Sequence, residues 1–241
     1  MSGPKLTVHH LQVGQGERIP WLLEELSIPY ELKLYQRSPV LSPPELKALH
    51  PMGASPVLED ATDNPSSPLL LAESGAIVDY VIYKYANGKL ALDPSHPDFA
   101  NYLYWFHFSN SNLQAAGMRY FTARPLAPPD DPRVQGMHDR FHKAIAQLNG
   151  QLDKTQAYLA GDDFTAADIM TVWCFTTMRK FAPLDLEPYP AVVEWLKRCT
   201  SREAYKKAMG RSDPELDLEE GISVKGPEIF GPIRAMYGNP K

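Results

Sequence analysis

The sequence predicts an α/β domain followed by an all-α domain, on three observations. In the N-terminal part, short strand-like segments alternate with amphipathic helix-like segments. A run of turn formers, "ANGKLALDPSHPD" at 86–98, interrupts this pattern. Beyond it the strand patterns largely stop and long helical patterns follow. We therefore predict an α/β domain at 1–87, a linker at 88–97, a helical bundle domain at 98–210 and a C-terminal extension at 211–241.

The predicted N-terminal elements follow the order β-α-β-α-β-β-α, which indicates a mixed sheet with helices packed on it. Residues 5–11 form a short predicted strand. In "ERIPWLLEEL", one helical face carries the apolar Ile19, Leu22, Leu23 and Leu26, and Pro20 fits the first helical turn. The next predicted elements are the strand "YELKLY", the short helix "SPPELKALH", the strands "PVLE" and "LLL", and a helix from Ser74 to about Ala86.

Two long helical segments dominate the second half, "FANYLYWFHFSNSNLQAAGMRYF" and "VQGMHDRFHKAIAQLNGQLDKTQAYL", and we expect them to pair as an antiparallel hairpin. Further on, the spacing of Thr165 and Asp168 predicts a capping box. There each side chain accepts a hydrogen bond from the other residue's backbone amide. This motif stabilises a helix start and carries no chemistry.

Composition and charge exclude several classes of function. The net charge of -5, without a cluster of Lys and Arg, disfavours nucleic acid and anionic membranes as partners. The two cysteines, Cys174 and Cys199, lie in mostly apolar helical segments, which argues against a disulfide framework and a C-x-x-C redox centre. The sequence shows neither a signal peptide nor a stretch long enough to span a bilayer, so we predict a cytoplasmic protein.

Glu73 and Ser74 stand where the fourth predicted strand gives way to a helix. A serine just before a helix can cap an orphan amide, and a glutamate there complements the helix dipole. The same two side chains also suit a small-molecule site. Both interpretations stay open at this point.

Several motifs in combination resemble the glutathione transferases: "ASP" before the third strand, "AES" after the fourth, and "GDDFTAADI" in the helical half. The segments "ERIPWLLEEL" and "PPELKALHPMG" resemble most the fungal and bacterial members related to the membrane-associated glutathione transferase of yeast. The resemblance implies a thioredoxin-like N-terminal domain, an all-helical C-terminal domain, and a homodimer. It further implies conjugation of the glutathione thiol to hydrophobic electrophiles, in detoxification or secondary metabolism. The alternatives are a glutathione-binding carrier with little activity, or a glutathione-dependent peroxidase or isomerase.

The resemblance also implies a glutathione site on this chain. Ser74 and the first amides of its helix would bind the γ-glutamyl carboxylate, as helix N-termini bind anions. Glu73, or a carboxylate from a second subunit, would bind the ammonium group. Pro56 would follow a cis peptide bond, and the free amide and carbonyl of Val57 would pair with the cysteinyl backbone. An ordinary trans proline at a strand start is the alternative.

The basic residue for the glycine carboxylate departs from the family pattern. Many relatives have Lys or Arg two residues before the cis proline, where this chain has Ala54. Arg37 and His50 are the remaining candidates.

Thiol activation departs further from that pattern. Relatives commonly carry serines where Gly14 and Gly16 stand, and the stretch "LQVGQGER" has neither hydroxyl nor thiol. The remaining catalytic candidates are the side-chain amide of Gln15, the backbone amides of Gln15 and Gly16, and the positive potential of Arg18. Because a neutral amide lowers a thiol pKa less than a charge does, we expect weaker thiolate stabilisation.

Two further sets of side chains have competing interpretations. Tyr104, His107 and Phe108 share a helix face and would form an aromatic wall for the electrophile between the domains, although such spacing is also typical of a core. His138 and His142 lie one helical turn apart, which suits a metal. The glutamate of H-E-x-x-H and a third ligand are missing, so we interpret the pair as a solvated helix face and expect no metal.

Overall fold

The computed structural model describes residues 3–128, 130–181 and 183–237. Two compact units divide the chain. The first contains the residues up to Asp93 together with Thr200–Leu216, and the second contains Pro94–Cys199 with the segment from Asp217 onward.

A four-stranded mixed sheet with the order β2-β1-β3-β4 forms the centre of the first unit. Its strands are β1 (Leu6–Leu11), β2 (Glu31–Tyr35), β3 (Val57–Asp60) and β4 (Leu69–Ala72). β1 runs parallel to β2, and β3 is antiparallel to β1 and β4. Helices α1 (Arg18–Leu26), α2 (Pro44–Lys47) and α3 (Ser74–Tyr85) complete the predicted β-α-β-α-β-β-α order, which is confirmed.

Helix α1 forms because its apolar residues recur at helical spacing, and it buries Ile19, Leu22 and Leu23 completely. It ends at Ser27, whose left-handed φ of 57° terminates the helix. Pro20 lies in the first turn, as predicted.

Helix α9 (Glu203–Ser212) packs on α1, although it follows the helical half in the sequence. Trp21 of α1 meets Tyr205 of α9 edge-on with ring centroids 4.9 Å apart. The carboxylate of Glu24, at the polar side of α1, forms ion pairs with Nζ of Lys207 at 2.6 Å and with Nη1 of Arg211 at 2.7 Å. These contacts place residues 200–216 in the α/β unit.

The second unit is helical. Its helices are α4 (Phe99–Phe108), α5 (Ala115–Ala123), α6 (Pro132–Thr155), α7 (Ala166–Val172), α8 (Pro190–Thr200), α10 (Leu218–Ile222) and α11 (Gly231–Tyr237). A π-helical turn, Ser109–Gln114, joins α4 to α5, so the first long predicted segment is nearly continuous. α5 packs against α6, as the predicted hairpin requires.

The predicted capping box at the start of α7 is confirmed. The Asp168 carboxylate, fully buried, accepts hydrogen bonds from the Thr165 amide at 3.0 Å and from the Leu159 amide at 3.1 Å. It also accepts from the Trp195 indole at 2.8 Å. One side chain thus joins the loop, α7 and α8.

Arg179 holds the C-terminal segment on the second unit. Its buried guanidinium donates to the carbonyls of Leu184, Gly221, Ser223 and Lys225 at 2.6–3.0 Å. Burial lowers the pKa of Arg179 to about 10. Because a guanidinium carries five donors in a rigid fork, it can satisfy several carbonyls at once.

Cys174 and Cys199 are buried, as their apolar sequence context predicts. In the described ranges, no helix is long and apolar enough to cross a membrane.

Candidate active site

The junction of β4 and α3 brings Glu73 and Ser74 together. Glu73 precedes the helix with a φ of 70° and a ψ of 109°, in a region that non-glycine residues seldom adopt, and its side chain is exposed. Ser74 is the first residue of α3 and is 3% exposed. No side-chain hydrogen bond caps α3. Of the two interpretations left open, the cap is not the one observed, because Glu73 occupies the N-cap position and the Ser74 hydroxyl is engaged with another side chain.

That engagement is with Arg18. The Arg18 guanidinium, fully buried, donates from Nη1 to the Ser74 hydroxyl at 3.1 Å and to Gln15 Oε1 at 3.2 Å. Gln15 in turn donates from Nε2 to the carbonyl of Ser55 at 3.2 Å. Gln15, Arg18 and Ser74 thus form one network, which links the N-termini of α1 and α3 to the residue before Pro56.

The peptide bond between Ser55 and Pro56 is cis, as the resemblance implies. Val57 pairs with His9 of β1 on one side and with Ala72 of β4 on the other. In an antiparallel ladder the amide and carbonyl of one residue point together at one neighbouring strand. The expectation of free backbone groups at Val57 does not fit this register.

Ser55 lies at the edge of this ladder and was missed from the sequence. Its carbonyl accepts the bond from Gln15, and its hydroxyl accepts one from the Leu11 amide at 3.0 Å. Its position directly before a proline that is implied to be cis is the signal that could have identified it.

Close neighbours of Gly14 and Gly16 explain the missing hydroxyls. A Cβ atom on Gly16 would lie 2.5 Å from Nδ1 of His10, and one on Gly14 would lie 2.9 Å from the Leu11 carbonyl oxygen and 3.0 Å from Nη2 of Arg37. Neither position has room for a serine while these groups stay in place.

His10 is held by Asp213, which follows α9 directly. Nε2 of His10 lies 2.7 Å from Oδ2 of Asp213, and both side chains are buried. Oδ1 of Asp213 accepts from the amide of Val13 at 2.6 Å. Val13 itself has a φ of 54°, a conformation that costs energy for a β-branched residue. The sequence offers no local signal for this pair, because 203 positions separate its members.

Arg37 is committed to the backbone of the same loop. It donates to the carbonyls of Gln12, Val13 and Val40 at 3.2, 2.7 and 2.7 Å. Burial lowers the pKa of Arg37 to about 10, although the charge of Asp213 acts to raise it. His50 is partly exposed and accepts from the Met52 amide at 3.3 Å. Binding of the glycine carboxylate by Arg37 or His50 stays a prediction.

The aromatic set on α4 divides between core and surface. Phe108 is 5% exposed and stacks on Tyr104 with centroids 5.5 Å apart. Tyr104 is 46% exposed, and its hydroxyl accepts from Gln147 at 2.6 Å. His107 is exposed. Phe108 therefore supports the core of the helical unit, while Tyr104 and His107 remain on its surface.

In comparisons with known proteins, both halves of the chain match the same family. Residues 15–82 match the model of the glutathione S-transferase N-terminal domain, and 131–198 match that of the C-terminal domain. Glutathione S-transferase 1 of Saccharomyces cerevisiae is 30% identical over 223 residues, covering 85% of this chain and 94% of the relative. Glutathione S-transferase 3 of Schizosaccharomyces pombe is 29% identical, covering 84% and 86%.

Solved structures agree with these relatives. A glutathione S-transferase from Actinobacillus pleuropneumoniae superposes with a TM-score of 0.78 at 27% identity, covering 89% of this chain and 95% of that one. A glutathione transferase from Phanerochaete chrysosporium, solved with oxidized glutathione, has a TM-score of 0.68 at 23% identity, covering 87% and 96%. The fold is a thioredoxin-like N-terminal domain followed by a helical domain, and the chain belongs to the glutathione S-transferase family.

Proposed function

We propose that this protein transfers the thiol of glutathione to hydrophobic electrophiles, as a cytoplasmic homodimer. The observation that carries the proposal is the network in which Arg18 joins Gln15 to Ser74 beside the cis peptide bond of Pro56. Membership of the glutathione S-transferase family supports transferase activity in general. The conjugated electrophile, the compartment and the dimer are parts of the proposal.

The γ-glutamyl end of glutathione binds at the start of α3. There the first amides of the helix and the Ser74 hydroxyl meet the α-carboxylate, and the nearby charge of Arg18 attracts it. The exposed carboxylate of Glu73 meets the ammonium group, alone or with a carboxylate from the second subunit. The glycine carboxylate is assigned to Arg37 or His50.

The cysteinyl part lies along the segment before β3. Because Val57 is inside the ladder, the backbone of Ser55 is the better partner for it. The thiol then faces the turn from Gly14 to Arg18. Gln15 donates from Nε2 to the Ser55 carbonyl, which brings its NH2 group, a donor with two hydrogens, to the segment where the cysteinyl part lies.

The reaction needs orientation and a stabilised thiolate. The thiol proton leaves to solvent, the thiolate sulfur forms a bond with the electrophilic carbon, and the leaving group departs with its electron pair. The Gln15 side chain and the amides of Gln15 and Gly16 lower the thiol pKa as neutral donors, less than a charge would. Tyr104 and His107 are proposed contacts for the electrophile.

A glutathione-binding protein with little transferase activity is the second candidate. The observation that favours it is the lack of room for a hydroxyl at Gly14 and Gly16. Turnover of a chloronitroarene separates the two: binding of glutathione without turnover would favour the carrier.

The binding site itself is tested by calorimetry with glutathione at fixed pH, on the wild type, Ser74→Ala and Ser111→Ala. We expect Ser74→Ala to weaken binding at least tenfold, because a ligand for the α-carboxylate is lost. Ser111→Ala removes an exposed hydroxyl that donates to the His107 carbonyl and accepts from the Asn112 side chain, and no part of the proposed glutathione site uses it, so the change should leave binding unchanged. Equal affinity for the wild type and Ser74→Ala would refute the assignment.

A further inference from the structure

The rings of His138 and His142 lie against each other on α6, within the helical unit. The two residues lie one helical turn apart, and their ring centroids are 4.1 Å apart with an interplanar angle of 36°. The side chain of His138 is 39% exposed, so the pair is open to solvent on one side. Two imidazoles this close on one helix face are spaced for a shared ligand.

Both rings use Nδ1 for contacts within the protein. Nδ1 of His138 lies 3.1 Å from Oδ1 of Asp139, and Nδ1 of His142 lies 2.6 Å from the Tyr189 hydroxyl. A carboxylate only accepts, so Nδ1 of His138 carries the hydrogen, and the Tyr189 oxygen can accept in the same way from His142. Within the described part of the chain, neither Nε2 atom has a hydrogen-bond partner. In the tautomers that carry hydrogen on Nδ1, the lone pairs of the two Nε2 atoms are therefore available.

The contacts of the two Nδ1 atoms are of the kind that metal-binding histidines make with the protein around them. A ligating histidine donates its other ring hydrogen to a carboxylate or a similar acceptor, which fixes the tautomer and the ring orientation. The ring of Tyr120 packs edge-on against His138 at 5.3 Å and restricts it further.

We propose that Nε2 of His138 and Nε2 of His142 chelate one divalent late transition-metal ion, with water in the remaining positions. Metal–nitrogen bonds of about 2.0–2.1 Å place two such nitrogens about 3 Å apart, and the two ring centroids are 4.1 Å apart. Imidazole ligands suit Cu²⁺, Ni²⁺ and Zn²⁺, and Cu²⁺ binds most tightly in this series.

The number of ligands sets the expected strength. Among the described residues, no group of three or more His, Cys, Asp and Glu side chains could hold a metal. The site therefore has two protein ligands, and we expect binding weaker than that of a four-ligand structural site.

The test uses untagged protein in a buffer without thiols or chelators, titrated with Cu²⁺ by calorimetry and examined by electron paramagnetic resonance. We expect one ion per chain and hyperfine structure from two nitrogens. His138→Asn should weaken binding at least tenfold and leave a one-nitrogen pattern, with an unchanged circular dichroism spectrum. His142→Asn should do the same.

The matched control is His107→Asn, since His107 is an exposed helix histidine with Leu103 and Ser111, not histidine, one turn away on either side. It should bind like the wild type. Cu²⁺ affinity that is the same in His138→Asn and in the wild type, or that is lost in His107→Asn, would overturn the proposal.

Discussion

Replacement of Gly16 by alanine tests the physical reason for the missing hydroxyl. The new Cβ would lie 2.5 Å from Nδ1 of His10, closer than Cβ atoms approach other atoms in proteins, and 3.2 Å from Oγ of Ser55. The His10 ring cannot easily move aside, because Asp213 holds its Nε2 at 2.7 Å in a fully buried contact. At other glycines of the chain, such as Gly136, an added Cβ would meet no atom within 4 Å.

The size of the effect follows from two opposing terms. Overpacking of a buried site costs about 1–3 kcal/mol. Loss of glycine entropy from the unfolded chain stabilises by about 0.4–1 kcal/mol. We therefore expect Gly16→Ala to lower the free energy of unfolding by about 1–2 kcal/mol, measured by urea denaturation. Gly16→Ser should lower it similarly, because the clash is with Cβ and not with the hydroxyl.

Two comparisons isolate the cause. Gly136 lies inside α6 with nothing within 4 Å of its added Cβ, so Gly136→Ala should raise stability by about 0.5–1 kcal/mol. In a background carrying His10→Ala and Asp213→Asn, the ring and its partner charge are both gone, and Gly16→Ala should cost little. A change in stability within 0.5 kcal/mol of zero for Gly16→Ala in the wild type, or an equal cost in both backgrounds, would refute the reasoning.

Two further predictions concern stability. Asp168→Asn should lower the free energy of unfolding by about 1–3 kcal/mol, because an NH2 group facing the Thr165 amide leaves buried donors unpaired; a thermal melt that matches the wild type would contradict this. Burial acts to raise the pKa of Asp60, but hydrogen bonds from Thr62, Tyr85 and Tyr80 outweigh it and hold the pKa at about 2. Because the pKa of Asp60 is lower in the folded protein, its contribution to stability is present above the unfolded pKa and is lost as the pH falls from about 4 towards 2. The loss amounts to about 2 kcal/mol in all. In urea unfolding, Asp60→Asn should not show this loss of stability between about pH 4 and pH 2.

Local patterns were sufficient for much of the fold. The apolar spacing in α1 and the capping box of Thr165 and Asp168 are set by residues within a few positions of each other, so the sequence contains all the information that they need. The resemblance to the glutathione transferases then identified Pro56, Glu73 and Ser74 as neighbours of one site. Their arrangement in the structure is compatible with that site.

Details that depend on tertiary contacts could not be predicted. A cap at Ser74 was one of two open interpretations, but Glu73 occupies the N-cap position and the Ser74 hydroxyl accepts from Arg18, 56 positions away. His10 and Asp213 meet only because α9 returns to the α/β unit, and no periodicity marks either residue. The choice between Ser55 and Val57 depends on strand register, which a four-residue strand specifies weakly in sequence.

The two glycines that argue against hydroxyl-based activation also permit several hydrogen bonds that hold this loop. With no Cβ at Gly16, His10 can approach and bond to Asp213, which in turn binds the Val13 amide. With none at Gly14, the Arg37 guanidinium can reach the Val13 carbonyl from the other side. Preorganised backbone donors stabilise a developing charge without reorganisation, so a loop held in this way is the form in which backbone amides act best. Loss of the serine hydroxyls and immobilisation of the loop are therefore consequences of the same two residues.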